Sequence, residues 1–165
     1  MSKQLSNREA YIKELDKYLE QRKMRKTPER IAILNRLLTF QAHFTIDQLM
    51  QAMEQENFHV SLATLYNTVD LLLEAGLVRR HVFEGMLVQY EKAGVAPHSH
   101  LICTTCGKIK EVRDNNFVAY MNAKKYTAFN TDHYSLYVYG TCSTCARRQK
   151  KRSTDSVAPK GGKNR

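Results

Sequence analysis

Residues 61–91 read SLATLYNTVDLLLEAGLVRRHVFEGMLVQYE, and this stretch decides the fold. It opens on Ser61, a hydroxyl suited to capping the first turn of a helix over residues 62–75. Leu62, Leu65, Val69, Leu72 and Leu73 recur at the spacing of one helical face. Ala63, Thr64, Tyr66, Asn67 and Asp70 fall on or near the other side. Gly76 stands where a helix stops in a left-handed residue. Residues 77–83 and 86–91 then read as two strands turning at Glu84-Gly85. A helix running straight into a β-hairpin is the pattern of a winged helix-turn-helix. A helical bundle with a hairpin packed on it is the competing arrangement.

The sequence upstream supplies the remaining helices. Tyr11, Ile12, Leu15, Tyr18 and Leu19 predict an amphipathic helix over residues 8–23. Thr27-Pro28-Glu29-Arg30 is a helix start, with a hydroxyl cap, a proline in the first turn and an acid at the positive end of the dipole. Ile31, Ile33, Leu34, Leu37 and Leu38 follow it. Thr45-Ile46-Asp47-Gln48 is a capping box, ahead of Leu49, Met50 and Met53.

Downstream, Ala93-Gly94-Val95-Ala96-Pro97 reads as a hinge. The expected organisation is a winged-helix domain over residues 1–92, a hinge over 93–97, a second domain over 98–145 and a tail over 146–165. Short strands are expected at 100–103, 108–112 and 135–140, with a helix at 116–127. Such a small α+β unit holds too little apolar material for a robust core, which points to zinc and dimerisation as supports.

Composition narrows the class. The chain has 165 residues, 42% hydrophobic and 25% charged. No apolar run approaches the about 20 residues that cross a bilayer, and residues 1–7 lack the apolar core of a signal peptide. Membrane and secreted readings are set aside, and a cytoplasmic protein is expected. The net charge of +10 is concentrated at one end. Residues 146–165 carry eight basic groups and one acid, leaving 18 basic and 15 acidic groups elsewhere. That polar tail is expected to be disordered, offering salt-dependent, sequence-blind attraction to phosphates.

Cys103-Thr-Thr-Cys106 and Cys142-Ser-Thr-Cys145 form two Cys-x-x-Cys pairs. Without a secretory signal, the doubled motif favours a zinc site over disulfides. Four thiolates about 2.3 Å from one ion close a tetrahedron and leave no open position, so such a site is structural. Two redox pairs, or four unrelated buried thiols, are the other readings.

Three histidines form a second constellation. On an extended segment His98 and His100 lie on one face and grip one ion. His43 is the third, and Glu91 or Glu111 can supply a carboxylate oxygen, a mixed set suited to Fe²⁺, Mn²⁺, Co²⁺ or Zn²⁺. A surface coincidence with solvated glutamates fits the same spacing.

Taken together, Ser61-Leu-Ala-Thr-Leu-Tyr66, Glu74-Ala-Gly-Leu-Val78, Phe83-Glu-Gly85, residues 98–107 (HSHLICTTCG) and residues 135–142 (SLYVYGTC) resemble the ferric uptake regulator family. The resemblance runs from about residue 24 to residue 145. It implies a homodimeric, metal-dependent DNA-binding repressor, in which an N-terminal winged helix-turn-helix domain is joined to a small α/β dimerisation domain. By position it assigns a structural zinc to Cys103, Cys106, Cys142 and Cys145. It assigns a regulatory Fe²⁺, or another divalent ion such as Mn²⁺, to His43, Glu91, His98, His100 and Glu111. Double-stranded operator DNA would meet Arg25, Lys26, Ser61, Ala63, Thr64, Tyr66 and Asn67.

Departures from the family pattern refine these expectations. Many iron regulators carry arginine after the tyrosine of the recognition helix; here it is Asn67, which can read adenine through a bidentate amide contact. At the positions of a further dimerisation-domain ion stand Pro97, Ser99, Val118 and Tyr134, so that site is expected to be absent. Peroxide-sensing relatives usually carry aspartate at Glu91 and Glu111, which favours iron sensing; a manganese- or peroxide-responsive repressor is the runner-up. A metallohydrolase built on His98, His100 and Glu91 is the rival from another class. It lacks a nucleophile and a substrate-pocket signal, so no catalytic residue and no small-molecule substrate are expected. In the family reading, one ion ligated from both sides of the hinge draws the two domains together.

Overall fold

Apolar periodicity near the amino terminus builds α1 (Ser2–Gln21), whose Tyr11, Leu15 and Leu19 are buried. The computed structural model describes residues 2–41, 43–82, 88–131 and 133–155. The chain divides into two units, Met1–Val95 and Ala96–Arg165.

In the first unit the start signals work as their chemistry dictates. Thr27 accepts a hydrogen bond from the Arg30 amide at 3.4 Å and opens α2 (Pro28–Leu37). Thr45 and Gln48 complete a reciprocal capping box on α3 (Ile46–Gln55), with N–H to oxygen distances of 3.2 and 2.9 Å. Thr45→Ala is expected to cost about 1 kcal/mol, read as a lower midpoint in chemical denaturation. Ser61 accepts from the Thr64 amide at 3.0 Å and caps α4 (Leu62–Glu74). Gly76 ends that helix at φ +68°, a conformation that side chains with a Cβ disfavour.

The helices meet over Ile33, Leu34, Leu37, Leu49, Met53, Leu65, Val69 and Leu72, each nearly inaccessible. Leu62 departs from expectation: it is 47% exposed, and Thr68 is buried instead. The reason is geometric. Leu62 is the first residue of α4 and its Cβ leans towards the helix start, off the packed face.

Two antiparallel strands, β1 (Val78–His81) and β2 (Gln89–Lys92), form the wing, with Arg79 opposite Glu91 and His81 opposite Gln89. The expected turn at Glu84-Gly85 lies outside the described residues. A third segment joins this ribbon. Phe44 and Tyr90 exchange both backbone hydrogen bonds, at 2.9 and 2.8 Å. Lys92 then donates to the carbonyls of Leu38 and Phe40, near the negative end of α2. These ties fix the approach of residue 43 to β2. The Tyr11 hydroxyl donates to the Ala93 carbonyl, holding the chain just after β2 against α1.

The second unit is a three-stranded sheet, ordered β4 (Ile109–Val112), β3 (Ser99–Cys103), β5 (Leu136–Gly140). β3 runs antiparallel to β4 and parallel to β5. The crossover carries α5 (Asn115–Ala123), capped by Asp114, which accepts from the Asn116 and Phe117 amides at 3.0 Å. Buried apolar side chains are few here: Ile102, Cys103 and Cys145 among the described residues. Leu101, Tyr120, Tyr126, Phe129, Val138 and Tyr139 are exposed.

The tail corrects the sequence reading in part. Residues 143–155 form a helix, α6 (Ser143–Asp155), where chain from residue 146 was expected to be unstructured. Ala, Arg, Gln and Lys are strong helix formers, and net charge alone does not outweigh that propensity. Residues 156–165 lie outside the described residues.

Candidate metal centres

Tight turns bring the two Cys-x-x-Cys pairs to one end of the second unit. Cys103 ends β3, Cys142 follows β5, and Cys145 lies on α6. The four sulfur atoms lie within 4.8 Å of one another, and Cys106 Sγ stands 3.8 Å from Cys142 Sγ. Thiolates bound about 2.3 Å from one tetrahedral centre stand about 3.8 Å apart, so the donor set fits zinc in number, type and spacing. The local field is uneven. The Cys142 amide donates to Cys103 Sγ at 3.3 Å. That bond, helped by the Cys106 and Thr105 amides, holds the Cys103 thiol down to about 6. Hydrogen bonds to Cys106 and Cys142, with burial, push Cys145 up to about 12.

Within the first unit, His43, His81 and Glu91 converge, their ligand atoms within 4.8 Å of one another. Glu91 is 5% exposed, an unusual place for a carboxylate unless it is paired. Its Oε2 lies 3.5 Å from His43 Nε2 and its Oε1 3.1 Å from His81 Nε2. The two imidazoles meet edge to face at 4.9 Å. Arg79 Nη1 stands 3.8 Å from Glu91 Oε1. Sequence reasoning missed His81. The available signal was strand alternation: with Arg79 opposite Glu91, His81 falls on the face that Glu91 occupies.

Within the second unit, His98 and His100 turn their Nε2 atoms to within 3.1 Å of each other. His98 Nδ1 faces the Ala96 carbonyl at 3.1 Å. A carbonyl only accepts, so Nδ1 carries a proton here, which leaves Nε2 as the nitrogen a metal would take. His100 is buried and pairs across the strands with Glu111. The ligand atoms of Glu111 and His98 lie within 4.8 Å. Both units thus present nitrogen and oxygen donors, a mixture that suits first-row divalent ions.

The outer face of α4 presents Ala63, Tyr66 and Asn67 to solvent, with Tyr66 46% exposed. Ser61 and Thr64 bond each other, Oγ to Oγ1 at 2.8 Å, so both hydroxyls also serve the cap. Arg25 and Lys26 are exposed ahead of α2, and Lys26 is tethered to Asp16 at 2.6 Å.

Comparison with known proteins decides the kinship. The profile of the ferric uptake regulator family matches residues 21–139. This chain belongs to the ferric uptake regulator family. Among its relatives, the peroxide operon regulator of Bacillus subtilis (strain 168) is 31% identical over 139 residues, covering 84% of this chain and 95% of that protein. The peroxide-responsive repressor PerR of Staphylococcus aureus (strain USA300) is 29% identical over 147 residues, covering 88% and 98%. The ferric uptake regulator of Pseudomonas aeruginosa, solved with manganese, superposes with a TM-score of 0.67 at 25% identity, covering 78% of this chain and 97% of that one. The chain is therefore a metal-dependent transcription regulator of the ferric uptake regulator family and not an enzyme. Its fold is the family's α+β pairing of a winged-helix DNA-binding domain with a dimerisation domain. Among the described residues, no helix is long and apolar enough to cross a membrane.

Proposed function

We propose that this regulator is an Fe²⁺-dependent repressor of iron-uptake genes, acting in the cytoplasm as a homodimer on palindromic operators. The observation that carries the reading is the buried Glu91 carboxylate, held among imidazoles beside the wing. His43 and Glu91 from the DNA-binding unit, and His98, His100 and Glu111 from the second unit, hold the regulatory ion. Three nitrogens and two carboxylates accommodate five or six ligands, which suits Fe²⁺ or Mn²⁺ better than tetrahedral zinc. Cys103, Cys106, Cys142 and Cys145 hold a structural Zn²⁺. The exposed aromatic and aliphatic side chains of the second unit suit a dimer contact.

The bound ion would supply a common ligation point for donors from both units. Ligation from both units sets the separation of the two α4 helices in a dimer. That separation must match half-sites about 34 Å, or a multiple of it, apart. Occupancy biases this geometry only through its differential affinity for the DNA-competent form, typically about 1–3 kcal/mol.

Tyr66 and Asn67 then meet base edges, while Arg25 or Lys26 lies near the minor groove. Asn67→Ala is expected to cost about 1–3 kcal/mol at one adenine, with metal binding unchanged. Comparing operators altered at single positions checks it.

The deciding experiment is anaerobic operator binding by zinc-loaded protein with Fe²⁺, Mn²⁺ or no added ion. Fe²⁺ is expected to tighten binding by about 5- to 150-fold; equal affinity with and without the ion would contradict the reading. A peroxide-responsive role is the second reading, favoured by the relatives in Bacillus subtilis and Staphylococcus aureus. It predicts that mild peroxide abolishes operator binding by the Fe²⁺ form and spares the Mn²⁺ form. The iron reading predicts no such selective loss.

A further inference from the structure

We infer that the DNA-binding unit carries a metal-binding triad of its own, His43, His81 and Glu91, in which His81 is a ligand. The inference rests on the regulatory-metal reading for two of its members and extends it to a third. Three separate elements build the triad. The Phe44–Tyr90 bridge brings His43 alongside β2, β2 supplies Glu91, and the β1–β2 register sets His81 on the face of Glu91.

The spacing is compatible with ligation of one centre. Two donors at right angles, each about 2.1 Å from one ion, stand about 3.0 Å apart. His81 and His43 approach the Glu91 oxygens at 3.1 and 3.5 Å. His81 is 1% exposed, so its ring is fixed by its surroundings and aimed at Glu91. Two imidazoles and one carboxylate are a donor set well suited to a divalent first-row ion. Arg79, 3.8 Å from Glu91, draws on the same carboxylate and competes with an ion for it. The functional consequence is order: the DNA-binding unit captures the ion weakly, and donors from the second unit tighten it.

The test is a Co²⁺ titration of the full-length, zinc-loaded protein, followed by visible absorption. The triple variant H98A/H100A/E111A removes the second unit's donors. It is expected to bind one equivalent of Co²⁺ at least tenfold more weakly than wild type, and adding His81→Gln is expected to weaken it further by more than the about 10- to 100-fold that loss of a ligand's outer partner costs. Zinc content and far-ultraviolet circular dichroism check that each variant is folded. A readout that leaves His81 intact accompanies the titration: hyperfine-shifted imidazole N–H resonances of the Co²⁺-loaded triple variant count its coordinated histidines. Two such signals support the triad. One signal, no Co²⁺ bound by the triple variant, or an affinity indifferent to His81→Gln overturns it while leaving the regulatory reading intact. Wild-type protein that takes up no Co²⁺ beyond its zinc would overturn both.

Discussion

Cys106→Ser is expected to strip the zinc from this protein and unfold the second unit, while the helices of the first persist. Structural zinc contributes about 10–16 kcal/mol in small zinc-dependent peptides. One ligand's share of that rivals the whole stability of a small unit. Little stands ready to replace it: α5 has no buried residue, and among the described residues Ile102 is the one buried aliphatic residue of the sheet. Metal analysis and thermal unfolding report the result, as zinc near zero and loss of the transition assigned to residues 96–165. Full zinc occupancy in the variant would contradict the four-sulfur assignment. The site also carries a pH signature. Without zinc, Cys103 sits near about 6 and is ionised at neutral pH, whereas Cys145, pushed to about 12, keeps its proton. Zinc must displace that proton, so affinity is expected to rise with pH and zinc to be released in acid.

His43→Ala carries the second large effect. The change is expected to abolish metal-stimulated operator binding, a loss of about 5- to 150-fold at saturating Fe²⁺, while zinc content and dimerisation stay at wild-type levels. His43 lies in the first unit, within reach of Glu91 and His81, and takes no part in the four-sulfur cluster. Truncation also leaves Glu91 buried with one fewer partner, so a modest fall in the stability of the first unit accompanies the change. Gel shifts across an Fe²⁺ series measure the first effect and denaturant unfolding the second.

Much of the fold was legible because local chemistry and global packing agree. Thr27-Pro28, Thr45 with Gln48, Ser61 and Gly76 each mark an element boundary that the structure places within a residue or two. The Cys-x-x-Cys pairs were legible for the same reason: their spacing is itself the geometry. What stayed hidden depends on register or on competition between weak terms. His81 carries no motif; only the pairing of Arg79 with Glu91 turns it inward. Phe44 joins the wing through backbone bonds that side-chain patterns do not encode. In α6, helix propensity outweighed the repulsion of a run of like charges. Leu62 has the right spacing for the core but sits at the very start of its helix, beyond the packed face.

The central claim is that regulatory-metal occupancy and operator affinity are two sides of one equilibrium. Linkage makes this testable without a structure of the complex, because the factor by which the ion tightens DNA must equal the factor by which DNA tightens the ion. Fe²⁺ affinity is measured anaerobically on the zinc-loaded protein, with and without saturating operator, and operator affinity with and without Fe²⁺. The account predicts the same enhancement, about 5- to 150-fold, from both directions. An Fe²⁺ affinity indifferent to the operator would contradict it.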